Sequence, residues 1–157
     1  MGEDKRLTII DNNYHNMQPE DWENVGKYFQ KNSSYDFWGN ADALDYGIVY
    51  GLYNLRVYTK KPIYVHCGCE PRLAGGWHPK GLAVDIHIEG MSLIDQFIVA
   101  SRFPVFRGIG VYPWWNNPGL HLDRRTYNPQ GPRALWISTG NHVYREFDEQ
   151  NLIKNVH

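Results

Sequence analysis

Two short stretches of this chain alternate apolar residues with histidine and aspartate, and this alternation constrains the fold more than any other feature. The first stretch covers residues 82–88 (LAVDIHI) and the second covers residues 120–123 (LHLD). Because successive side chains of a β-strand point to opposite faces, each stretch predicts a strand with one apolar face and one His/Asp face. A carboxylate inside such a strand is costly to bury unless it is paired or bound to a cation. We therefore expect the two polar faces to lie over one shared site.

The rest of the pattern places two helices before most of the strands. Helices are predicted over about 19–31, over about 41–58 after a cap at Asn40, and over about 93–102 after a capping box of Ser92 and Asp95. Strands are predicted over 7–10, 63–67, 82–88, 108–112, 120–124, 134–137 and 142–147, with a short helix in the tail. This order predicts an α+β fold, with helices packed on a small, mostly antiparallel sheet.

Length and charge limit the classes of function. A chain of 157 residues is expected to form one domain over 1–157. Its 16 Lys and Arg nearly balance its 17 Asp and Glu, which argues against general nucleic-acid binding. We find no run of about 18 apolar residues that predicts a membrane span. The first residues lack the apolar core of a signal peptide, so we expect synthesis in the cytoplasm.

Candidate metal ligands lie on both alternating strands and in the loop before the first of them. The loop, residues 74–81 (AGGWHPKG), contains His78 among glycines that allow a tight turn toward Asp85. With His121, these residues supply two imidazoles and one carboxylate, and they leave a fourth position open, as in catalytic zinc sites. From spacing alone, chance His/Asp pairing remains an alternative. Cys67 and Cys69 are expected to be ordinary thiols, with a metal contact or a redox role as the alternative.

The same residues carry a family resemblance. Residues 78–86 (HPKGLAVDI) resemble the His-x-x-Gly-x-Ala-x-Asp-Ile segment of the D-Ala-D-Ala carboxypeptidase family of zinc peptidases, which includes phage endolysins. Residues 108–113 (GIGVYP) and 120–124 (LHLDR) resemble the Gly-x-Gly-x-Tyr-Pro and Val-His-Val-Asp-x-Arg segments of one branch, and Trp136 falls where that branch often has Trp. Over about 40–137, the resemblance implies one Zn²⁺ per chain on His78, Asp85 and His121, and a fold shared with Hedgehog signalling domains.

Three positions depart from the family pattern. The family's Ser-Gly-Tyr-Arg aligns with residues 67–70 (CGCE), so Glu70 stands where the family has the Arg that holds a substrate carboxylate. Arg72 is the candidate replacement. Gly76 replaces a Ser of the family, and Pro118 replaces the Asp or Glu that serves many members as general base. These departures leave both the substrate class and the activity open.

The catalytic candidates follow from these departures. Asp123 is the first candidate for the general base because it shares a strand face with His121. Its alternative role is to fix the tautomer of that imidazole or to pair with a neighbouring arginine. His87 is a candidate for orienting substrate or stabilising an oxyanion, and otherwise a structural histidine. Glu70 is a second candidate base if it points into the cleft, and otherwise a solvated turn residue.

Aromatic residues make up 15% of the chain, and several flank the candidate ligands. We expect them to wall a peptide or glycan groove, because aromatic rings stack on sugar faces. The alternative is a packed loop without ligand contact. The candidate substrate-binding residues are Trp77, Tyr112, Trp114 and Trp115.

The leading hypothesis is a zinc-dependent metallopeptidase, either a carboxypeptidase or an endopeptidase, that acts through a zinc-activated water. By resemblance, its substrate is a peptidoglycan stem peptide or cross-link, and the cleaved bond involves a D-amino acid. Without a predicted signal peptide, release by lysis or carriage in a virion would bring the protein to the cell wall. The first alternative is a catalytically weak or inactive zinc-binding module of the same fold, such as a phage tail component. The second is an amidase or esterase with a small substrate.

Overall fold

A computed structural model describes residues 13–72, 75–125 and 131–156 of the chain. Within these ranges the chain forms six strands and four α-helices. The strands are β1 (Ile63–Cys67), β2 (Ala83–Ile88), β3 (Gly108–Tyr112), β4 (Gly119–Asp123), β5 (Ala134–Gly140) and β6 (Val143–Glu146). The helices are α1 (Pro19–Val25), α2 (Tyr46–Thr59), α3 (Leu93–Ala100) and α4 (Glu149–Asn155).

The strands of the described ranges form one open sheet in the order β1-β2-β4-β3-β5-β6. Neighbouring strands run antiparallel, except that β3 and β5 pair in parallel. The predicted α+β class with a mostly antiparallel sheet is therefore confirmed. The order also makes the two alternating strands, β2 and β4, direct neighbours, so their polar faces meet as the alternation predicts.

The apolar face of β2 and β4 lies in the hydrophobic core. Val84 and Ile86 of β2, and Leu120 and Leu122 of β4, are fully buried. They belong to the same apolar cluster as Ile48, Leu52 and Leu55 of α2. Since one side of these strands is occupied by the core, their histidines and aspartates can only face the other side of the sheet.

The beginning of α2 differs from the prediction. Asn40 precedes a short 3₁₀ turn over Ala41–Ala43, and the helix itself begins later, at Tyr46. Asp45 is the N-cap, because its Oδ2 accepts a hydrogen bond from the Ile48 backbone N–H at 3.2 Å. A prediction from apolar spacing alone merged the turn with the helix.

The other helices agree with the prediction at their starts and less well at their ends. α1 ends at Val25 rather than near residue 31, and α3 ends at Ala100 rather than near 102. The Ser92 cap is confirmed, with the Asp95 N–H donating to Ser92 Oγ at 3.2 Å. The strand predicted over 7–10 lies outside the described residues. In the ranges given above, we find no helix with the length and apolar character needed to cross a membrane.

Candidate metal centre

The candidate centre begins with the pairing of β2 and β4. Their antiparallel register places Asp85 directly opposite His121. Both side chains lie on the face away from the core, where the alternation of the two strands predicts them. Asp85 keeps 20% of its side chain exposed and His121 keeps 11%, so both groups line the floor of a surface groove.

The glycine-rich loop brings His78 over this pair. Gly75, Gly76 and Gly81 have positive φ angles, which glycine adopts without steric cost. Gly81 has a second constraint, because a Cβ there would lie 2.0 Å from the Ala43 carbonyl oxygen. The loop turns back on itself, and His78 Nδ1 donates a hydrogen bond to the Gly68 carbonyl oxygen at 2.8 Å. This bond directs the other ring nitrogen, Nε2, toward β2.

The three candidate ligands converge on one carboxylate oxygen. Asp85 Oδ1 lies 3.2 Å from His78 Nε2 and 3.0 Å from His121 Nδ1. The carboxylate oxygen can only accept, and the opposite nitrogen of each ring faces another acceptor. Each nitrogen that faces Asp85 therefore requires either an additional proton or a shared cation.

The pKa values of His78 and Asp85 indicate the same need for a proton or a cation between the two side chains. Burial alone would lower the pKa of His78, but hydrogen bonds to Asp85 and Cys67 raise it to about 11. Burial would raise the pKa of Asp85, but His121 and His78 lower it to about 2. The pKa of His121 is also raised, by its hydrogen bonds to Asp123 and Asp85 against the effect of burial, so the charged form of both imidazoles is favoured beside Asp85. Metal ions bind the deprotonated forms of such ligands and displace their protons, so donors of this kind could hold a metal ion.

Cys67 adds a sulfur to this group. Donor atoms of Cys67, His78 and Asp85 all lie within 4.8 Å of one another, so these residues could hold a metal ion. The Cys67 Sγ lies 3.6 Å from His78 Nδ1. The sequence predicts that Cys67 is an ordinary thiol, with a metal contact or a redox role as the alternative. The position of Cys67 fits the metal contact. The short spacing of His66, Cys67 and Cys69 was too weak a signal to choose between the two.

Asp123 lies behind His121, away from Asp85. Its Oδ2 accepts a hydrogen bond from His121 Nε2 at 2.8 Å, and its side chain is fully buried. Arg125 donates to both carboxylate oxygens, through Nε at 2.8 Å and Nη2 at 2.7 Å. Although burial would raise the pKa of Asp123, Arg125 and His121 lower it to about 2. Of the two predicted roles, this geometry favours fixing the His121 tautomer over acting as general base.

Glu70 and Arg72 pair with each other at the surface. Arg72 donates to Glu70 Oε1 through Nε at 2.9 Å and to Oε2 through Nη2 at 3.0 Å. Hydrogen bonds from Arg72 lower the pKa of Glu70 to about 2, which makes the carboxylate a weak base near neutral pH. Arg72 lines the rim of the groove but is 88% exposed. This arrangement favours the predicted alternative for Glu70, a solvated turn residue.

His87 lies on the polar face of β2, two residues beyond Asp85, and it contacts His66, Glu89 and Tyr64. Its Nδ1 is 2.6 Å from His66 Nε2, and its Nε2 is 3.3 Å from Glu89 Oε2. Its ring also stacks on Tyr64 at 5.2 Å between centroids. The structural alternative for His87 fits these contacts better than a role in orienting substrate. No sequence signal singled out its partner, His66.

An open groove of about 780 Å³ runs over the centre. All four predicted substrate-binding residues line it, together with His78, Asp85 and His121. Tyr112 and Trp115 stack with 4.2 Å between ring centroids. Trp114 Nε1 donates to Ser138 Oγ at 2.9 Å, which fixes the indole against β5.

Other residues of the groove were not expected from the sequence. Ser138, Asn141, His142 and Tyr144 reach the groove from β5, β6 and the turn between them. Their position depends on the parallel pairing of β5 with β3, which no local pattern in the sequence predicts. No pattern in the sequence connects His142 with the candidate ligands. His142 lines the groove in the backbone conformation of a tight turn, with φ at 58°.

No known protein family, curated protein or solved structure matches this chain. The assignment of a function therefore depends on the chemistry of the site and on the motif resemblance described above.

Proposed function

We propose that the chain is a zinc-dependent metallopeptidase that hydrolyses peptide bonds in bacterial cell-wall peptides. The observation that carries the proposal is the convergence of His78 Nε2 and His121 Nδ1 on Asp85 Oδ1, at 3.2 and 3.0 Å. These two imidazoles and one carboxylate are a donor set used by catalytic zinc sites. The ordered motif resemblance adds the reaction class and the Hedgehog-like variant of the α+β fold.

His78, Asp85 and His121 would hold the ion at the floor of the groove. The chemistry that a zinc ion would supply there is polarisation of a scissile carbonyl and a lower pKa for a bound water, from ~15.7 toward ~7. The protein orients these ligands through the far nitrogens of both rings. The Gly68 carbonyl accepts from His78 Nδ1, and Asp123 accepts from His121 Nε2. Such contacts fix the tautomer of each imidazole and increase its basicity toward the metal.

The aromatic walls of the groove support a peptidoglycan substrate. Trp77, Tyr112, Trp114 and Trp115 present flat apolar surface beside the proposed ligands, where peptide side chains or sugar faces can stack. Trp77 and Trp136 also flank the Arg125 guanidinium, at 5.5 and 5.2 Å from its carbon to the ring centroids. The involvement of a D-amino acid in the cleaved bond comes from the resemblance alone.

A second function, an inactive zinc-binding module such as a phage tail component, has one specific observation in its favour. Asp85 is the sole carboxylate among the described residues that line the groove. A metallopeptidase needs a group that takes a proton from the attacking water and passes it to the leaving amine. The carboxylates considered for this step, Asp123 and Glu70, are both occupied by arginines.

Metal analysis and a peptidoglycan assay test the two functions together. Wild type, Asp85→Ala and the surface control Asp42→Ala are purified without chelators or a His-tag, and zinc is measured by elemental analysis. The peptidase predicts about one zinc per chain, release of new amino groups from purified peptidoglycan, and loss of both in Asp85→Ala only. Bound zinc without release supports the inactive module. Absence of zinc after reconstitution overturns both functions.

A further inference from the structure

The end of β1 carries an irregularity that changes which side chain opposes Asp85. Tyr64 pairs with His87 and Val65 pairs with Ile86, but the next pair is Cys67 with Asp85. Residue 66 is therefore an extra residue, as in a β-bulge, and the pairing moves forward by one position. Bulges of this kind redirect side chains and are over-represented next to active sites. In this chain the bulge places Cys67, rather than His66, opposite Asp85.

The sulfur of Cys67 lies close to the donor atoms of His78 and Asp85. Zn–S bonds of ~2.3 Å and Zn–N bonds of ~2.0–2.1 Å allow two donors of one zinc to be at most about 4.4 Å apart. Donor atoms of Cys67, His78 and Asp85 all lie within 4.8 Å of one another. A shift of a few tenths of an ångström would bring these donors within bonding range of one ion.

The backbone next to Cys67 also serves the site. The Gly68 carbonyl oxygen accepts from His78 Nδ1 at 2.8 Å, so the segment that carries the thiol also orients the imidazole. Gly68 itself has no room for a side chain, because a Cβ there would lie 2.4 Å from the Trp38 carbonyl oxygen. The Cys67 sulfur is thus held beside the centre by the strand end and not by a free loop.

We propose that Cys67 is the fourth protein donor of the zinc centre formed by His78, Asp85 and His121. The inference rests on the proposed zinc site and adds a thiolate that the motif resemblance does not contain. Two imidazoles, one carboxylate and one thiolate would make a set of four donors, the number that closed zinc sites use. Cys67 would then fill the position that a three-donor catalytic site keeps for water, and the thiol would control the access of water and substrate.

Cobalt substitution tests the proposal without an activity assay. Cobalt(II) bound to a thiolate has a near-ultraviolet charge-transfer band that nitrogen and oxygen ligands do not produce. We expect the band in wild type and its loss in Cys67→Ser, which should still bind cobalt through the other three donors. Cys69→Ser is the matched control and should keep the band. Cys69 is buried, and its sulfur donates to the Pro79 carbonyl at 3.9 Å.

The outcomes separate this proposal from the proposed function. Bound cobalt without the band in wild type overturns the role of Cys67 and leaves the zinc site in place. Absence of bound cobalt and zinc in wild type overturns the zinc site itself. A second measurement avoids any change at Cys67, since Cys69→Ser protein can be alkylated with iodoacetamide with and without zinc. Zinc should slow alkylation at least about tenfold because a metal-bound thiolate is a poor nucleophile, and equal rates overturn the proposal.

Discussion

Two consecutive arginines follow β4, and each pairs with a different buried aspartate. Arg124 Nη1 lies 2.9 and 3.2 Å from the two carboxylate oxygens of Asp45, at the start of α2. Arg125 contacts Asp123, which in turn accepts from His121. Because neighbouring side chains of an extended segment point in opposite directions, the two pairs form on different sides of the chain. From the sequence, Arg124 and Arg125 are predicted to be solvated or locally ion-paired, and either one is a candidate partner of Asp123.

The two carboxylates respond differently to the same kind of partner. Burial raises the pKa of Asp45 even though Arg124 opposes the shift, whereas Arg125 and His121 overcome burial and lower the pKa of Asp123 to about 2. Asp45 also caps a helix, and Asp123 holds an imidazole of the proposed centre. Of the two buried ion pairs, only Arg125–Asp123 is connected to the proposed centre, because Asp123 contacts His121. The following changes should separate the pair that stabilises the fold from the pair that supports the site.

The largest effect is expected when Asp45 is removed. Asp45→Ala leaves Arg124 buried without its carboxylate and also removes the α2 cap, so the free energy of unfolding should fall by about 3–5 kcal/mol. The zinc content of the folded protein should not change, because the described bonds of the Asp45 carboxylate are to Arg124 and the Ile48 N–H. Urea denaturation and elemental analysis measure the two quantities. The exposed Asp42→Ala serves as the control, and loss of zinc from folded Asp45→Ala protein would contradict the comparison.

Glycines beneath the two pairs offer a second test. A Cβ at Gly47 would lie 2.3 Å from Arg124 Nη1, and a Cβ at Gly108 would lie 2.4 Å from both carboxylate oxygens of Asp123. Each alanine variant should lose about 1–3 kcal/mol of stability through overpacking. Gly108→Ala alone should also weaken zinc binding, because the displaced carboxylate orients His121. Equal zinc affinities in the two variants, measured by competition with a chelator, would show that Asp123 does not act through His121.

The alternation of β2 and β4 shows what the sequence predicts well. A strand with a core on one side has only one other face, so Asp85 and His121 had to share the polar face once the two strands were neighbours. The motif order then indicated the loop that brings His78 to them. Both predictions combine a local sequence pattern with the pairing of β2 and β4, which the six-stranded sheet contains.

Other features depend on contacts between distant residues and leave no local signal. Asp45 is the cap of α2 and the partner of Arg124, 79 positions away along the chain. The bulge that brings Cys67 opposite Asp85 appears only in the pairing of β1 with β2. The side of the His121 ring on which Asp123 lies is also set by tertiary structure. Strand alternation gave its face but not the contact with Arg125 that occupies both of its oxygens.

Asp123→Asn should separate the two roles predicted for Asp123. If Asp123 orients His121, the amide keeps the shape but removes the charge, and zinc affinity should fall about 10–100-fold, as for other partners of metal-bound histidines. Stability should change less than in Asp45→Ala, because the amide oxygen can still accept one of the hydrogen bonds. Chelator competition gives the affinity, and peptidoglycan hydrolysis at saturating zinc gives the activity. Unchanged affinity with abolished hydrolysis would instead assign Asp123 to proton transfer.

The smallest effect is expected at the surface pair of the half-buried Glu70 and the exposed Arg72, which completes the series of arginine–carboxylate contacts. Glu70→Gln and Arg72→Ala should leave the denaturation midpoint and the zinc content unchanged, because solvent screens an ion pair at the surface. Of the two variants, Glu70→Gln also tests the role of Glu70 as general base. Glu70→Gln should also retain full hydrolysis, since a carboxylate whose pKa is lowered to about 2 is a poor proton acceptor. Loss of turnover in Glu70→Gln, with zinc retained, would make Glu70 the general base and show that substrate displaces Arg72 from it. The different roles of Asp45, Asp123 and Glu70 would then depend on whether substrate is bound and not on burial alone.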